Sequence, residues 1–175
     1  MKKLALNLIF LFLAIGFIQA QKTINYPSIN PLIKISLDLK KWIYESEEDI
    51  LILSPKNEDS GNYFCMIWTT EDPYAEESVS ELPEEAIALV ETLLENITWS
   101  EDISEFENNN IYFVGMDAKG DFPSDDNTSI KFSSSVIILL TDEGAALTFV
   151  FFGASNLYDK YEEDLISLLL SIKTF

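Results

Sequence analysis

The chain has 175 residues, of which 30 are aspartate or glutamate and 11 are lysine; it has no arginine and no histidine, and its formal net charge is −19. A surface this acidic repels phosphate backbones and anionic lipid headgroups, which argues against nucleic acid and membrane surfaces as partners. Without histidine there is no Ser-His-Asp or Cys-His catalysis and no histidine-based zinc site, and one cysteine builds neither a thiolate metal site nor an intramolecular disulfide.

The first twenty residues read as a secretory signal peptide. Lys2 and Lys3 give a positive start, Leu4 to Ile18 is apolar except for Asn7, and Ile18-Gln19-Ala20 is an acceptable cleavage site. That apolar run of fifteen residues is short for a membrane span, which takes about 20. Cleavage before Gln21 leaves 155 residues with nine lysines against thirty carboxylates, a net charge of −21. The expected product is periplasmic or secreted, with no membrane insertion. Its lysine-only, Asn-rich composition fits a bacterial source with an AT-rich genome.

Residues 21–31 carry two prolines and read as an extended lead-in; residues 32–175 read as one domain, long enough to hold itself together by its core. Ile33, Ile35, Leu37 and Leu39 alternate with Lys34, Ser36, Asp38 and Lys40, the period of a half-buried strand. After Trp42 and a polar stretch from Glu45 to Asp49, Ile50 to Leu53 predicts a short strand ending at Ser54-Pro55. Tyr63 to Trp68 is apolar on both faces, the pattern of a strand inside a sheet, and it holds Cys65 as a small buried side chain.

A helix is predicted to open at Pro83 with Glu84 and Glu85 in its first turn, where the helix dipole favours negative charge. Its apolar stripe runs Leu82, Ala86, Val90, Leu93, Leu94 and Ile97. Strands follow at 111–116, 130–140 and 146–152, with a weaker one at 103–107; Gly144 supplies a positive φ for the hairpin Thr141 to Gly144. The last helix, 156–172, presents Tyr158, Tyr161, Leu165, Leu168, Leu169 and Ile172, with Ser155 or Asn156 as its cap. Strands joined directly to strands imply a mainly antiparallel sheet. Two amphipathic helices must bury a face against it, which predicts an α+β fold arranged as an α/β/α sandwich.

Leu37-Asp38-Leu39-Lys40-Lys41-Trp42, the strand ending in Ser54-Pro55 and the strand from Asn62 to Thr70 resemble the PsbP-like fold. The mid-chain helix, the hairpin at Gly144 and the closing helix at Ser171-Ile172-Lys173 complete the likeness across nearly all of the mature chain. That superfamily includes the photosystem extrinsic subunit, the Mog-type Ran-binding proteins and small exported bacterial proteins. The resemblance implies a sandwich that binds other macromolecules, generally without catalysis, and it transfers no functional residue.

The best candidate site is the stretch Asp117-Ala118-Lys119-Gly120-Asp121-Phe122-Pro123-Ser124-Asp125-Asp126-Asn127, read as a loop. Asp117, Asp121, Asp125 and Asp126 are its candidate calcium ligands, since oxygen-rich loops bind calcium in extracellular settings. The spacing is not that of an EF-hand and Lys119 sits inside it; a solvated turn accounts for the same residues. Glu71 to Glu77 is a second acidic stretch, suited to a basic partner or to a solvated connection. Trp42, Trp68 and Trp99 mark an interface if exposed and core packing if buried. Asn96-Ile97-Thr98 and Asn127-Thr128-Ser129 match the N-glycosylation pattern.

No nucleotide-binding signature occurs, so no cofactor is expected. The leading expectation is a non-enzymatic exported binding or scaffold protein whose partner is another envelope or extracellular protein. A calcium-responsive surface module and a carboxylate-based hydrolase are the alternatives, and the oligomeric state is left open.

Overall fold

The computed structural model describes residues 21–47, 49–57, 62–70, 82–123 and 129–175; the expected signal peptide lies outside them. The elements run β1 (Gln21–Tyr26), β2 (Ile33–Asp38), β3 (Trp42–Glu47), β4 (Ile50–Pro55), β5 (Tyr63–Thr70), α1 (Glu84–Leu93) and β6 (Glu95–Trp99). Then come β7 (Ser104–Asn108), β8 (Ile111–Pro123), β9 (Ser129–Thr141), β10 (Ala146–Ala154), α2 (Ser155–Leu170) and β11 (Lys173–Thr174). Among the described residues no helix is long and apolar enough to cross a membrane.

Two antiparallel sheets form. The larger runs β3-β4-β5-β10-β9-β8-β6, with β7 also paired to β8; the smaller runs β1-β2-β11. All nine residues of β10 are buried because both faces of the strand are covered. Its side chains alternate: Leu147, Phe149 and Phe151 join one core cluster, while Val150, Phe152 and Ala154 join another on the opposite face. Burying each such phenylalanine stabilises the fold by about 1.5–3 kcal/mol relative to exposure.

The first cluster lies under α2 and the small sheet, where Tyr161, Leu165, Leu168 and Leu169 meet Ile33, Ile35 and Leu37. The second lies under α1, through Ala86 and Val90. Among the described residues the fold is α+β, mainly antiparallel with two helices, as expected. The small sheet β1-β2-β11 packs into the same core cluster as α2.

Several elements depart from the sequence reading. The lead-in is a true strand: β1 pairs with β2 from Gln21↔Asp38 to Tyr26↔Ile33. The polar stretch after Trp42 belongs to β3, an edge strand whose exposed residues Glu45, Ser46 and Glu47 discourage further pairing. Helix α1 stops at Leu93 rather than running to Ile97. Leu94 is already extended and leads into β6, where Asn96 takes a left-handed φ of 51° at an irregularity and Thr98 and Trp99 pair with Lys119 and Ala118 of β8. Gly120 permits that approach, since a Cβ there would lie 2.9 Å from the Glu95 carbonyl oxygen. Pro83 precedes the first helical turn instead of opening it.

Ser155 and Asn156 do not cap α2. Its N-cap is Ala154, and the Ser155 hydroxyl instead bonds Ser133 Oγ at 3.1 Å. The C-terminal end is held from outside: Asn108 Nδ2 donates to the Leu170 carbonyl (3.0 Å) and Asn109 Nδ2 to that of Ile172 (3.1 Å). Asn108 precedes the two-residue β7–β8 turn and Asn109 belongs to it; Asn109 and Asn110 take φ of 53° and 61°, as a type I′ hairpin requires. The turn thus satisfies carbonyls that every helix end leaves open.

Candidate functional site

The proposed calcium ligands do not share a loop. β8 continues to Pro123, paired with β9 along its length, so Asp117 and Asp121 are strand residues; Asp125 and Asp126 lie outside the described residues. The alternation of side chains makes this stretch a strand. Asp117, Lys119 and Asp121 alternate with Ala118, Gly120 and Phe122, and Ala118 and Phe122 belong to the core under α1. The charged set faces the other way. Four residues of strand separate Asp117 from Asp121 by about 13 Å, too far to hold one ion with ligands at about 2.4 Å. Among the described residues no group of three acidic or sulfur side chains is placed to hold a metal.

Each of these aspartates already has partners. Asp121 forms an ion pair with Lys131 (2.6 Å) and accepts from Asn96 Nδ2 (3.2 Å). Hydrogen bonding from Lys131 and Asn96 holds its carboxyl below the usual range. Asn96, the first candidate glycosylation site, is exposed and makes this contact with its side chain.

Asp117 accepts a hydrogen bond from Ser135 Oγ, whose oxygen also meets the Tyr158 hydroxyl on α2. Ser135 has one proton and directs it to the carboxylate, so Tyr158 donates to Ser135. Burial raises the Tyr158 pKa well above its ordinary value, and the nearby Asp117 charge adds to the rise. Tyr158 is thus a fixed donor rather than a proton acceptor. A recess of about 290 Å³ opens beside this chain of hydroxyls, bounded by Lys119, Asp159 and Glu162. The network fastens α2 to β9 and β8 and presents no activated nucleophile.

Trp42 is core, with ring centroids 6.1 Å from Tyr63 and 5.9 Å from Tyr161. Cys65 is also fully buried and unpaired, and burial pushes its thiol pKa up. Trp68 and Trp99 are half-buried on the α1 face. The acidic stretch 71–77 lies outside the described residues.

Trp68 leads to the surface feature that the sequence reading missed. On the α1 face, Ile50 stands opposite Trp68 and Ile52 opposite Met66. Helix α1 rests mainly on β6 and β9, and among the described residues nothing else covers this part of the sheet. Ile43 is 39% exposed and Ile50 is 37% exposed. A groove of about 730 Å³ results, with Ile50, Met66, Trp68 and Leu89 as its apolar lining and Asp49 and Glu85 at its rim. The Trp68 indole N–H donates to Glu85 Oε1 at 3.4 Å. The available signal was Ile43, Ile50 and Ile52, apolar residues on the outward face of β3 and β4.

No protein-family model matches the chain, and no curated protein does. Among solved structures, the chain is similar to the solution structure of cyanobacterial PsbP (CyanoP) from Synechocystis sp., at 10% sequence identity and a TM-score of 0.55. The match covers 89% of this chain and 93% of that one. At such identity the likeness concerns architecture, and the chain has the PsbP-like fold that its order of elements resembles.

Proposed function

We propose that the mature chain is an exported, non-catalytic binding module, periplasmic or secreted, that engages another envelope or extracellular protein through the groove over β4 and β5. The observation that carries this reading is the groove's lining of Ile50, Met66, Trp68 and Leu89, open to solvent on a chain of net charge −19. Contiguous apolar surface rimmed by polar groups marks interaction sites, and tryptophan is enriched among residues that dominate binding. Export is supported by the basic start and apolar run of residues 2–18. A binding role without chemistry is supported by the lack of histidine. In this reading the domain is a layered body, its helices on opposite faces of the large sheet, with the groove where the α1 layer ends.

The test is affinity capture from an envelope extract with the chain beginning at Gln21, run beside a Trp68→Ala bait. One protein should be recovered by the first and depleted about fivefold or more with the second, the effect of losing about 1 kcal/mol of contact. Identical captures from both baits, or turnover of a substrate by the purified chain, would contradict the reading.

A further inference from the structure

Resting on the groove reading above, we infer that the groove selects its partner by charge: its occupant is a polypeptide segment with one or two large apolar side chains bracketed by lysine or arginine. The groove is lined from β4, β5 and α1, with β3 next to β4, and none of these four elements contains a lysine. Carboxylates gather instead. Asp49 and Glu85 line the groove, and Glu45 and Glu47 of β3 stand opposite Ile52 and Ile50, so both rise on the same face of the sheet. A lysine or arginine set beside Trp68 meets the ring face and the Glu85 carboxylate together.

The same charges exclude the other occupants. A second copy docked through this face would set the four carboxylates against their own counterparts, and like charges juxtaposed at an interface are strongly unfavourable. Anionic lipid and nucleic acid are repelled for the same reason. The apolar lining supplies the affinity, while the rim supplies selection and a faster, salt-sensitive encounter.

The experiment uses the chain from Gln21 and three dye-labelled peptides that share a Leu-Phe-Leu centre, flanked on both sides by lysine, serine or glutamate. Binding is read by fluorescence anisotropy. At about 20 mM salt the lysine-flanked peptide should bind about tenfold or more tighter than the serine-flanked one, with glutamate weakest, and the gap should narrow at about 300 mM. Glu47→Gln combined with Glu85→Gln should weaken only the lysine-flanked peptide, by about fivefold or more, while Trp68→Ala weakens both lysine- and serine-flanked peptides. Equal binding of all three peptides, lost in Trp68→Ala, overturns charge selection and leaves the groove reading standing. Lysine-flanked binding that Trp68→Ala does not change overturns both, because diffuse charge then accounts for it. Absence of binding by every peptide also overturns the proposal. So does a dimer in sedimentation that Trp68→Ala dissolves, which assigns the groove to a second copy.

Discussion

Tyr63 lies directly across from Gly153 in the β5–β10 pair, and its ring fills the space that a side chain at 153 would need. A Cβ on residue 153 would sit 2.4 Å from Tyr63 Cδ2. The ring cannot easily withdraw, being packed 4.8 Å from Tyr161 and 6.1 Å from Trp42. Gly153→Ala should therefore lower the unfolding free energy by about 1–3 kcal/mol, the usual cost of overpacking. Urea denaturation measures it, and an unchanged midpoint would show that the core yields more readily than this geometry allows.

Two buried tyrosines should answer oppositely to loss of the hydroxyl. The Tyr63 oxygen is buried with no hydrogen-bond partner among the described residues, so Tyr63→Phe should be neutral or stabilising by up to about 1 kcal/mol. The Tyr26 hydroxyl donates to the carbonyl oxygens of Ile67 (3.0 Å) and Asp49, joining the small sheet to the large one. Tyr26→Phe leaves those acceptors short of a donor and should cost about 1–3 kcal/mol. Thermal melts of the two variants separate the cases.

Tyr26 also gives an alkaline signature. Burial, reinforced by the Asp49 charge, pushes its pKa up to about 12 from 10.0. The protonated form is favoured in the folded state, so its contribution to stability is complete below pH 10 and is lost as pH climbs from 10 towards 12. Tyr26→Phe should flatten that limb of the stability curve. A limb of unchanged slope would contradict the assignment.

How much of this was legible beforehand depends on how local the cause is. The alternation around Ile33 to Leu37, the doubly apolar Tyr63 to Trp68 and the turn at Gly144 read correctly because each is set by neighbouring residues. The overrun of α1 came from Leu94 and Ile97, which keep helical spacing past the real end. What stops the helix is Leu94, whose backbone is already extended, and the pairing of Glu95, Thr98 and Trp99 with a strand about twenty residues further on. The stretch Asp117 to Phe122 was read as a loop from its charges and glycine, although its alternation of charged with small or apolar residues is that of a strand. Of the groove only the outward apolar set Ile43, Ile50 and Ile52 was legible, since its extent depends on which strands a ten-residue helix leaves bare.

At the acid end, Asp121 is the group to watch. Its folded pKa is lowered by Lys131 and Asn96, so its stabilising effect is present above the ordinary carboxylate value of 3.8 and fades as pH falls through the folded one. The drop in stability between about pH 5 and about pH 3 should be smaller in Asp121→Asn than in the parent chain. An equal drop in both would place the acid sensitivity elsewhere.

Cys65 reports on global opening. It is fully buried with a raised thiol pKa, so alkylation of the native chain should be slower than that of the denatured chain by about a thousandfold or more, following the small unfolded fraction. Fast native labelling would mean that β5 opens separately from its neighbours.

The most direct measurement places a photo-cross-linking residue at position 50, in the groove, and in a second chain at position 166, on the exposed side of α2, each expressed in the producing cell. Position 50 should yield one discrete adduct with an exported protein, its cross-linked segment combining large apolar residues with lysine or arginine; position 166 should not. The same adducts from both positions, or none from position 50, would contradict the claim that this molecule works through that groove.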